Sequence, residues 1–198
     1  MKDLIKAVHD KGMKIILDFI PNQTSNQHPW FTESKQSNST YKNFYVWSND
    51  TTNWLTTTGS SAWDMDTTRN QNYLHQFDLS QPDLNLRSSL VINELKDIME
   101  YWMITEKIDG FYVRNSAYMM EDYDMRTEDR AIPTQNNREY TYGLESNIYM
   151  LSRFREIANG LSNTSEKMLI ADRTGTTMDK MSYYGVFPGS GVQLSLNP

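Results

Sequence analysis

The chain has 198 residues, of which 38% are hydrophobic and 12% aromatic, and this balance is typical of one folded domain. Its net charge is −6, and Lys and Arg form no run longer than two, which excludes a basic surface for nucleic acid or anionic membrane. Cys is absent, so disulfides within the chain are excluded while its compartment stays open.

Membrane and targeting signals are missing from this stretch of sequence. No apolar run approaches the roughly 20 residues that span a bilayer. The opening residues 1–6 lack the apolar core of a signal peptide and resemble the middle of an amphipathic helix. If the whole protein is anchored or secreted, we expect its targeting segment to lie outside this chain.

The first predicted elements are a helix and a buried strand. Leu4, Ile5 and Val8 recur at helical spacing, and Gly12 is in the usual C-terminal position. The nearly unbroken apolar run 13–20 predicts a buried parallel strand. Helix, Gly and strand together form half of a β/α repeat.

A long polar region from Asn22 to about Arg87 follows, and it has little helical periodicity. An irregular stretch of this length inside a compact domain predicts a functional loop or an inserted subdomain. Four tryptophans lie in it, and packing in a small core is favoured over stacking on sugars. They are Trp30, Trp47, Trp54 and Trp63.

Alternation of helix and strand returns in the rest of the chain. A helix is predicted from Ser88 or Ser89, a strand over 108–115, and a polar loop of doubtful order over 121–147. The remaining predictions are a helix over 151–161, a strand over 168–171, a helix over 178–184 and a strand over 192–196. This order predicts a parallel α/β architecture.

Four ordered blocks carry a resemblance to a known family. Residues 18–25 are similar to a strand-end motif written DFVPNHTS, and 81–85 match the signature QPDLN. Residues 110–115 align without gaps to the block GFRVDA, and 169–172 take the place of the block that carries a catalytic acid. The chain therefore resembles glycoside hydrolase family 13, in its maltase and α-glucosidase branch.

The resemblance implies a partial (β/α)8 barrel, from about the second helix to the sixth strand. It places a barrel helix and the third strand in 1–21, an inserted domain B in 22–87 and the barrel continuation in 88–198. A complete barrel takes about 250 residues and eight strands. We therefore expect a fragment of a larger domain that does not fold stably alone.

The resemblance also assigns site positions, and several of them hold unexpected residues. Arg114 stands where the family keeps its nucleophilic Asp, Tyr112 where an Arg positions that Asp, and Asp172 where a Glu acts as the acid. Gln23 replaces a His that contacts sugar hydroxyls. An arginine cannot form a glycosyl ester, so the sequence predicts a degenerate catalytic site.

Two family residues remain, and each also has a purely structural interpretation. Asp18 lies at a strand end, and Asn22 can close a turn. In some relatives Ca²⁺ binds near the equivalent of Asn22, but no cluster of carboxylates supports a metal here. No cofactor is expected.

Sequons give a weak sign of secretion. Asn38, Asn49 and Asn163 are possible glycosylation sites, and Asn22 heads a fourth sequon in the strand-end motif, where a glycan is sterically difficult. Composition alone gives about three sequons in a chain of this kind. An extracellular or secreted location is expected.

Within the family, the chain resembles the heavy subunits of heteromeric amino acid transporters. That resemblance implies a non-catalytic ectodomain whose partner is a transporter light chain. The alternatives are a divergent maltase that acts on α-glucosides, a secreted sugar-binding protein, and a pseudogene product without function. A membrane helix upstream favours the first interpretation, and a cleaved signal peptide favours the maltase.

Overall fold

The computed structural model describes residues 1–129, 138–161, 166–185 and 189–196. The helices are α1 (Lys2–Asp10), α2 (Pro29–Ser34), α3 (Ser89–Glu100), α4 (Glu145–Gly160) and α5 (Thr177–Ser182). A π-helical stretch, Tyr101–Thr105, continues α3, and a 3-10 turn spans Ser116–Tyr118. The strands are β1 (Ile16–Phe19), β2 (Trp47–Ser48), β3 (Trp63–Asp66), β4 (Gln71–Leu74), β5 (Gly110–Val113), β6 (Met168–Asp172) and β7 (Leu194–Leu196).

The chain divides into two compact units. The first unit comprises Met1–Pro21, Asn93–Ala117 and Glu145–Pro198. The second unit comprises Asn22–Ile92 and Tyr118–Leu144. Each unit has its own sheet.

The sheet of the first unit is parallel throughout, in the order β1-β5-β6-β7. Helices α3 and α4 lie between its successive strands in the sequence, which is the connection that parallel strands require. The alternation predicted from the apolar runs is confirmed, with bounds that differ by a few residues. Helix α4 begins earlier than predicted, at Glu145, inside the segment expected to be a loop.

Aromatic packing on one face of the sheet forms the core of the first unit. The ring of Phe19 lies 5.1 Å from that of Phe111 and 5.4 Å from that of Phe154, between centroids. Gly110 allows β5 and β6 to approach closely, because a Cβ there would lie 2.1 Å from the carbonyl oxygen of Met168. Any side chain at position 110 would push these strands apart.

A polar cluster secures the amino end of β5. Asp109 accepts hydrogen bonds from His9 Nε2 at 2.8 Å, Lys14 Nζ at 2.9 Å and the Ile15 backbone N–H at 2.9 Å. Burial raises the pKa of Asp109, but these donors outweigh burial and bring the pKa down to about 2. The amino ends of parallel strands are where polar residues serve stability rather than chemistry.

The second unit is built on an antiparallel sheet with strand order β2-β4-β3. Trp54 and Trp63 are buried in its core with Val46, Ala62 and Leu74. The two indole rings stack with centroids 5.8 Å apart. These two tryptophans therefore pack in a core, as the sequence favoured.

A buried carboxylate organises the segment that was predicted to be a loop of doubtful order. Glu128 accepts hydrogen bonds from the backbone N–H groups of Glu139 and Tyr140 and from Thr141 Oγ1, at 2.7, 3.1 and 3.0 Å. Arg138 donates from Nη1 to the carbonyl of Leu55, at 2.7 Å. The described residues 121–129 and 138–144 contain no helix or strand, as the loop prediction expected, while 130–137 of that segment lie outside the described residues.

Within the described ranges, no helix combines the length and the apolar character that are needed to cross a bilayer.

Candidate functional site

Three polar residues meet at the carboxyl ends of the parallel strands of the first unit. Asp18 pairs in register with Tyr112 on β5, and Val113 pairs with Ala171 on β6. Asp18 and Asp172 thus lie at the ends of β1 and β6, and Arg114 follows the end of β5. This edge of a parallel sheet is where α/β proteins place their binding and catalytic residues.

An ion pair occupies the space between the first two strand ends. Arg114 Nη1 donates to Asp18 Oδ2 at 3.1 Å, and the two side chains are 45% and 54% exposed. The guanidinium carbon of Arg114 also lies 5.1 Å from the ring centroid of Tyr112, within the range of a cation–π contact. The cation is therefore held by one carboxylate and one aromatic face.

Tyr112 responds to the charges around it. Burial raises the pKa of its phenol, Asp172 and Asp18 raise the pKa further, and Arg114 opposes them. The hydroxyl consequently stays protonated at neutral pH and can donate a hydrogen bond.

Asp172 is engaged by the turn that follows β5. Its Oδ1 accepts from the backbone N–H and from Oγ of Ser116, both at 3.0 Å, and its Oδ2 accepts from the backbone N–H of Asn115 at 3.2 Å. The single hydroxyl hydrogen of Ser116 is shared between Oδ1 and the backbone carbonyl of Asp172. Asn115 has a φ of 57°, a left-handed conformation that Asn tolerates better than most residues. The carboxylate is thus held against the turn by three donor groups.

The other two predicted site residues, Asn22 and Gln23, belong to the second unit. Asn22 is 1% exposed, and its Nδ2 donates to Asp83 Oδ1 at 3.2 Å. Gln23 forms a β-bridge with Asp83, and its buried Oε1 has no hydrogen-bond partner among the described residues. Burial also makes the sequon at Asn22 inaccessible to a glycan.

The segment 81–85, the QPDLN signature, joins two other segments of the second unit. The backbone N–H of Leu84 donates to the carbonyl of Asn22 at 2.8 Å, and that of Asn85 donates to the carbonyl of Phe44 at 2.7 Å. Asp83 Oδ2 accepts from the backbone N–H of Gln76 at 3.2 Å. The signature therefore links distant segments of the second unit by hydrogen bonds. The sequence did not indicate this role, because the partners lie far away in the chain.

Complete burial determines the state of the Asp83 carboxyl. Burial raises its pKa well above the ordinary value, against hydrogen bonds from Gln76 and Asn22 that lower the pKa. A carboxyl with these properties can mark a functional site or a structural network. Its partners here are an amide side chain and a backbone N–H, which favours the structural network.

The remaining predicted positions concern glycans and metals. Asn38 and Asn49 are exposed, and Asn163 lies outside the described residues. In the part of the chain that the structure describes, no group of three or more His, Cys, Asp or Glu residues lies close enough to hold a metal ion.

Comparison with protein families gives one match that spans nearly the whole chain. The α-amylase family, described as the alpha amylase catalytic domain, matches residues 1–197.

Two groups of curated proteins are similar in sequence. The rat amino acid transporter heavy chain SLC3A1 is 43% identical over 140 residues, which cover 65% of this chain and 20% of that protein. A honeybee α-glucosidase is 33% identical over 202 residues, which cover 93% of this chain and 35% of that protein. The chain thus spans between a fifth and about a third of the length of these relatives.

Solved structures agree with the sheet described above. A trehalose-6-phosphate hydrolase of Bacillus licheniformis superposes with a TM-score of 0.88 over 99% of this chain and 35% of that protein, at 24% identity. An α-glucosyl transfer enzyme superposes with a TM-score of 0.85 over 98% of this chain, at 22% identity. The predicted fold, a partial (β/α)8 barrel, is confirmed.

Proposed function

The chain belongs to the α-amylase family of glycoside hydrolases, and from this membership we propose that it is a glucosidase-like ectodomain that does not hydrolyse sugars. We further propose that it serves as part of the heavy subunit of an amino acid transporter. The observation that carries the proposal is the ion pair between Arg114 and Asp18 at the carboxyl ends of β5 and β1.

The chemistry of the family explains why this ion pair matters. Retaining glycosidases use two carboxyl groups about 5–5.5 Å apart, one of which attacks the anomeric carbon through an oxocarbenium-like transition state. Arg114 stands at the position of that nucleophile. Its guanidinium offers no carboxylate for a covalent intermediate, and its positive charge opposes the charge that develops on the sugar.

The position of the acid supports the same conclusion. Asp172 is one methylene shorter than the Glu that the family uses, and its carboxylate is engaged by Asn115 and Ser116. A side chain held against a turn does not extend to a glycosidic oxygen. Positioning errors of about 1 Å can cost a hundredfold in rate.

The proposed partner is a transporter light chain, and it rests on the relatives. The proteins named amino acid transporter heavy chain in rat, mouse and human are 43%, 42% and 40% identical to this chain over their matched regions. A domain that no longer hydrolyses sugars can still bind another protein through its surface. On this proposal the domain lies on the extracellular face of the plasma membrane.

Hydrolysis is the first test, carried out on the intact protein. We expect maltose, sucrose and a chromogenic α-glucoside to be turned over no faster than in a buffer blank. Arg114→Asp should not restore activity, because Tyr112, Gln23 and Asp172 remain and catalytic groups act as a unit. Turnover in the unmodified protein that Asp172→Ala abolishes would refute the proposal.

Association is the second test, and it addresses the partner separately. Affinity purification from native membranes should enrich a polytopic amino acid transporter over a mock purification. A protein recovered in soluble, secreted form without a transporter would contradict the heavy-subunit proposal while leaving the absence of hydrolysis intact.

A divergent maltase is the second candidate. It is favoured by the honeybee α-glucosidase, which aligns with 93% of the chain, whereas the rat heavy chain aligns with 65%. The upstream sequence separates the two candidates. A single membrane helix supports the heavy subunit, and a cleaved signal peptide supports the maltase.

A further inference from the structure

Two of the three histidines of the chain lie in the second unit, and both adjoin the same cluster of aromatic rings. The cluster is centred on Phe31 of α2, which is 2% exposed and lies 5.0–5.5 Å from three neighbouring rings, between centroids. Those rings belong to Tyr45, Trp47 and Tyr73. His28 is the N-cap of α2, and the ring of His75 lies 5.6 Å from that of Tyr73. Packing of the cluster therefore depends on α2 holding Phe31 in place.

His28 caps the amino end of α2 with a nitrogen that can be protonated. The backbone N–H of Trp30 donates to His28 Nδ1 at 3.2 Å, and the two rings lie 4.7 Å apart. Nδ1 accepts a hydrogen bond only in the neutral ring, because both nitrogens of a protonated imidazole are donors. Burial lowers the pKa of His28, and no charged neighbour among the described residues opposes that shift. Protonation therefore removes the cap and leaves the Trp30 N–H facing another donor.

His75 is buried in a way that disfavours its charged form. It is 5% exposed, and its Nδ1 is buried with no hydrogen-bond partner among the described residues. A proton at Nδ1 would be a buried donor without an acceptor, on a ring that also carries charge. Burial lowers the pKa of His75, against the carboxylates of Asp64 and Asp78, which raise the pKa. The neighbouring Tyr73 stays neutral, because burial raises the pKa of its hydroxyl to about 12.

The carboxyl end of α2 is held by an ion pair that persists in mild acid. Lys35 Nζ lies 2.8 Å from Asp66 Oδ2, and Arg69 Nη1 donates to the backbone carbonyl of Ser34. Burial raises the pKa of Asp66, but hydrogen bonds from Lys35 and from the Arg69 backbone N–H outweigh burial and leave the pKa below its ordinary value of 3.8. Mild acidification therefore acts on the amino end of α2 and leaves the carboxyl end anchored.

We propose that the second unit carries an acid-sensitive switch, in which protonation of His28 and His75 releases the amino end of α2 and loosens the packing of Phe31. A histidine whose pKa is lowered on folding stabilises the fold above its ordinary pKa of 6.5, and this contribution is lost as the pH falls through the folded-state value. The switch requires neither hydrolysis nor a transporter, so it can succeed or fail independently of the proposed function.

Asp83 responds to pH in the opposite direction, which decides how the switch has to be measured. Its Oδ2 accepts from the backbone N–H of Gln76, next to His75. Burial raises the pKa of Asp83, and protonation of Asp83 stabilises the folded state as the pH falls. Local measurements on α2 and β4, combined with a variant of each histidine, separate these two effects.

Hydrogen exchange of the intact protein at about pH 7.5 and about pH 5.5, corrected for the intrinsic change in rate, tests the proposal. We expect peptides from 29–34 and 71–76 to lose protection about threefold to tenfold at the lower pH, because linkage one pH unit below 6.5 allows at most about tenfold per histidine. Equal protection at the two pH values in 29–34 would overturn the proposal.

Variants of His28 identify the cap as the trigger. His28→Asn keeps a side-chain acceptor that does not titrate, so 29–34 should stay protected at both pH values. His28→Ala removes the acceptor, so 29–34 should be weakly protected at both. His28 is partly exposed, so both variants should fold. A full loss of protection at low pH in His28→Asn would contradict the role of the cap.

The other two histidines complete the test. His75→Phe removes the titrating ring, so the loss of protection at 71–76 should disappear, and an unchanged loss would contradict the role of His75. His9→Asn changes the histidine of the first unit and is the matched control, which should leave both losses unchanged. A pH response that His9→Asn abolishes would place the trigger in the first unit and overturn the proposal.

Discussion

The motif residues of the two units differ in how far they are exposed to solvent. In the first unit, the side chains of Asp18 and Arg114 are 54% and 45% exposed at the ends of their strands. In the second unit, Asp83 is 2% exposed and contacts groups of the protein alone. Residues that face solvent can change without disturbing the fold, whereas a buried hydrogen-bonding residue cannot.

The QPDLN segment joins two distant segments of the second unit through the backbone of Leu84 and Asn85 and through the buried carboxyl of Asp83. In the first unit, Arg114 and its partner Asp18 face solvent and contact few groups of the protein.

The largest effect is expected from the second unit. Asp83→Ala should lower the free energy of opening by about 2 kcal/mol, because the Gln76 N–H and the Asn22 amide lose their buried acceptor. Hydrogen exchange of peptides around Gln76 in the intact protein measures this energy. Asp78→Ala is the control, since exposed Asp78 caps only the local turn at Ser80. Equal effects of the two variants would contradict the role of Asp83 as a buried acceptor that links Asn22 and Gln76.

An intermediate effect is expected at the amino end of β5. Asp109→Asn should cost the first unit about 1 kcal/mol at neutral pH, with allowance for partial exposure of the site. The pKa of Asp109 falls from 3.8 to about 2 on folding, so this stabilisation is present above pH 3.8 and is lost as the pH falls toward 2. Stability measured across that range should decline less steeply in Asp109→Asn than in the unmodified protein.

Exposed Asp97→Asn serves as the control for this measurement and should retain the original slope. The carboxyl of Asp83 in the second unit should contribute the opposite dependence. Because burial raises the pKa of Asp83, its contribution is present below the ordinary pKa and is lost as the pH rises through the folded-state value. A stability profile of Asp83→Asn that declines with rising pH as steeply as that of the unmodified protein would contradict this assignment.

The smallest effect is expected at the strand ends. Arg114→Ala should change the free energy of unfolding by less than about 0.5 kcal/mol, because an ion pair this exposed is screened by solvent. A double-mutant cycle with Asp18→Ala measures the coupling between the two side chains. A coupling above about 1 kcal/mol would mean that the pair stabilises the barrel, and the comparison between the units would then fail.

Local pattern accounts for the part of the structure that could be predicted from the sequence. Apolar runs and helical spacing located β1, β5 and β6 to within a few residues, and the motif alignment placed Arg114 and Asp172 next to strand ends. These features depend on residues close in the chain, where the side-chain period of two residues indicates a strand and the period of 3.6 indicates a helix. The family resemblance then supplied the expected barrel and the inserted domain.

Contacts between distant residues were decided only by the tertiary structure. Asn22 meets Asp83 across 61 positions, His9 meets Asp109 across 100, and Arg138 reaches the carbonyl of Leu55 across 83. No periodicity in the sequence records such pairs, because each depends on how the whole chain turns back on itself. The sequence determined which residues stand at the candidate site. Only the fold determined that Arg114 pairs with Asp18, because the two residues lie 96 positions apart in the chain.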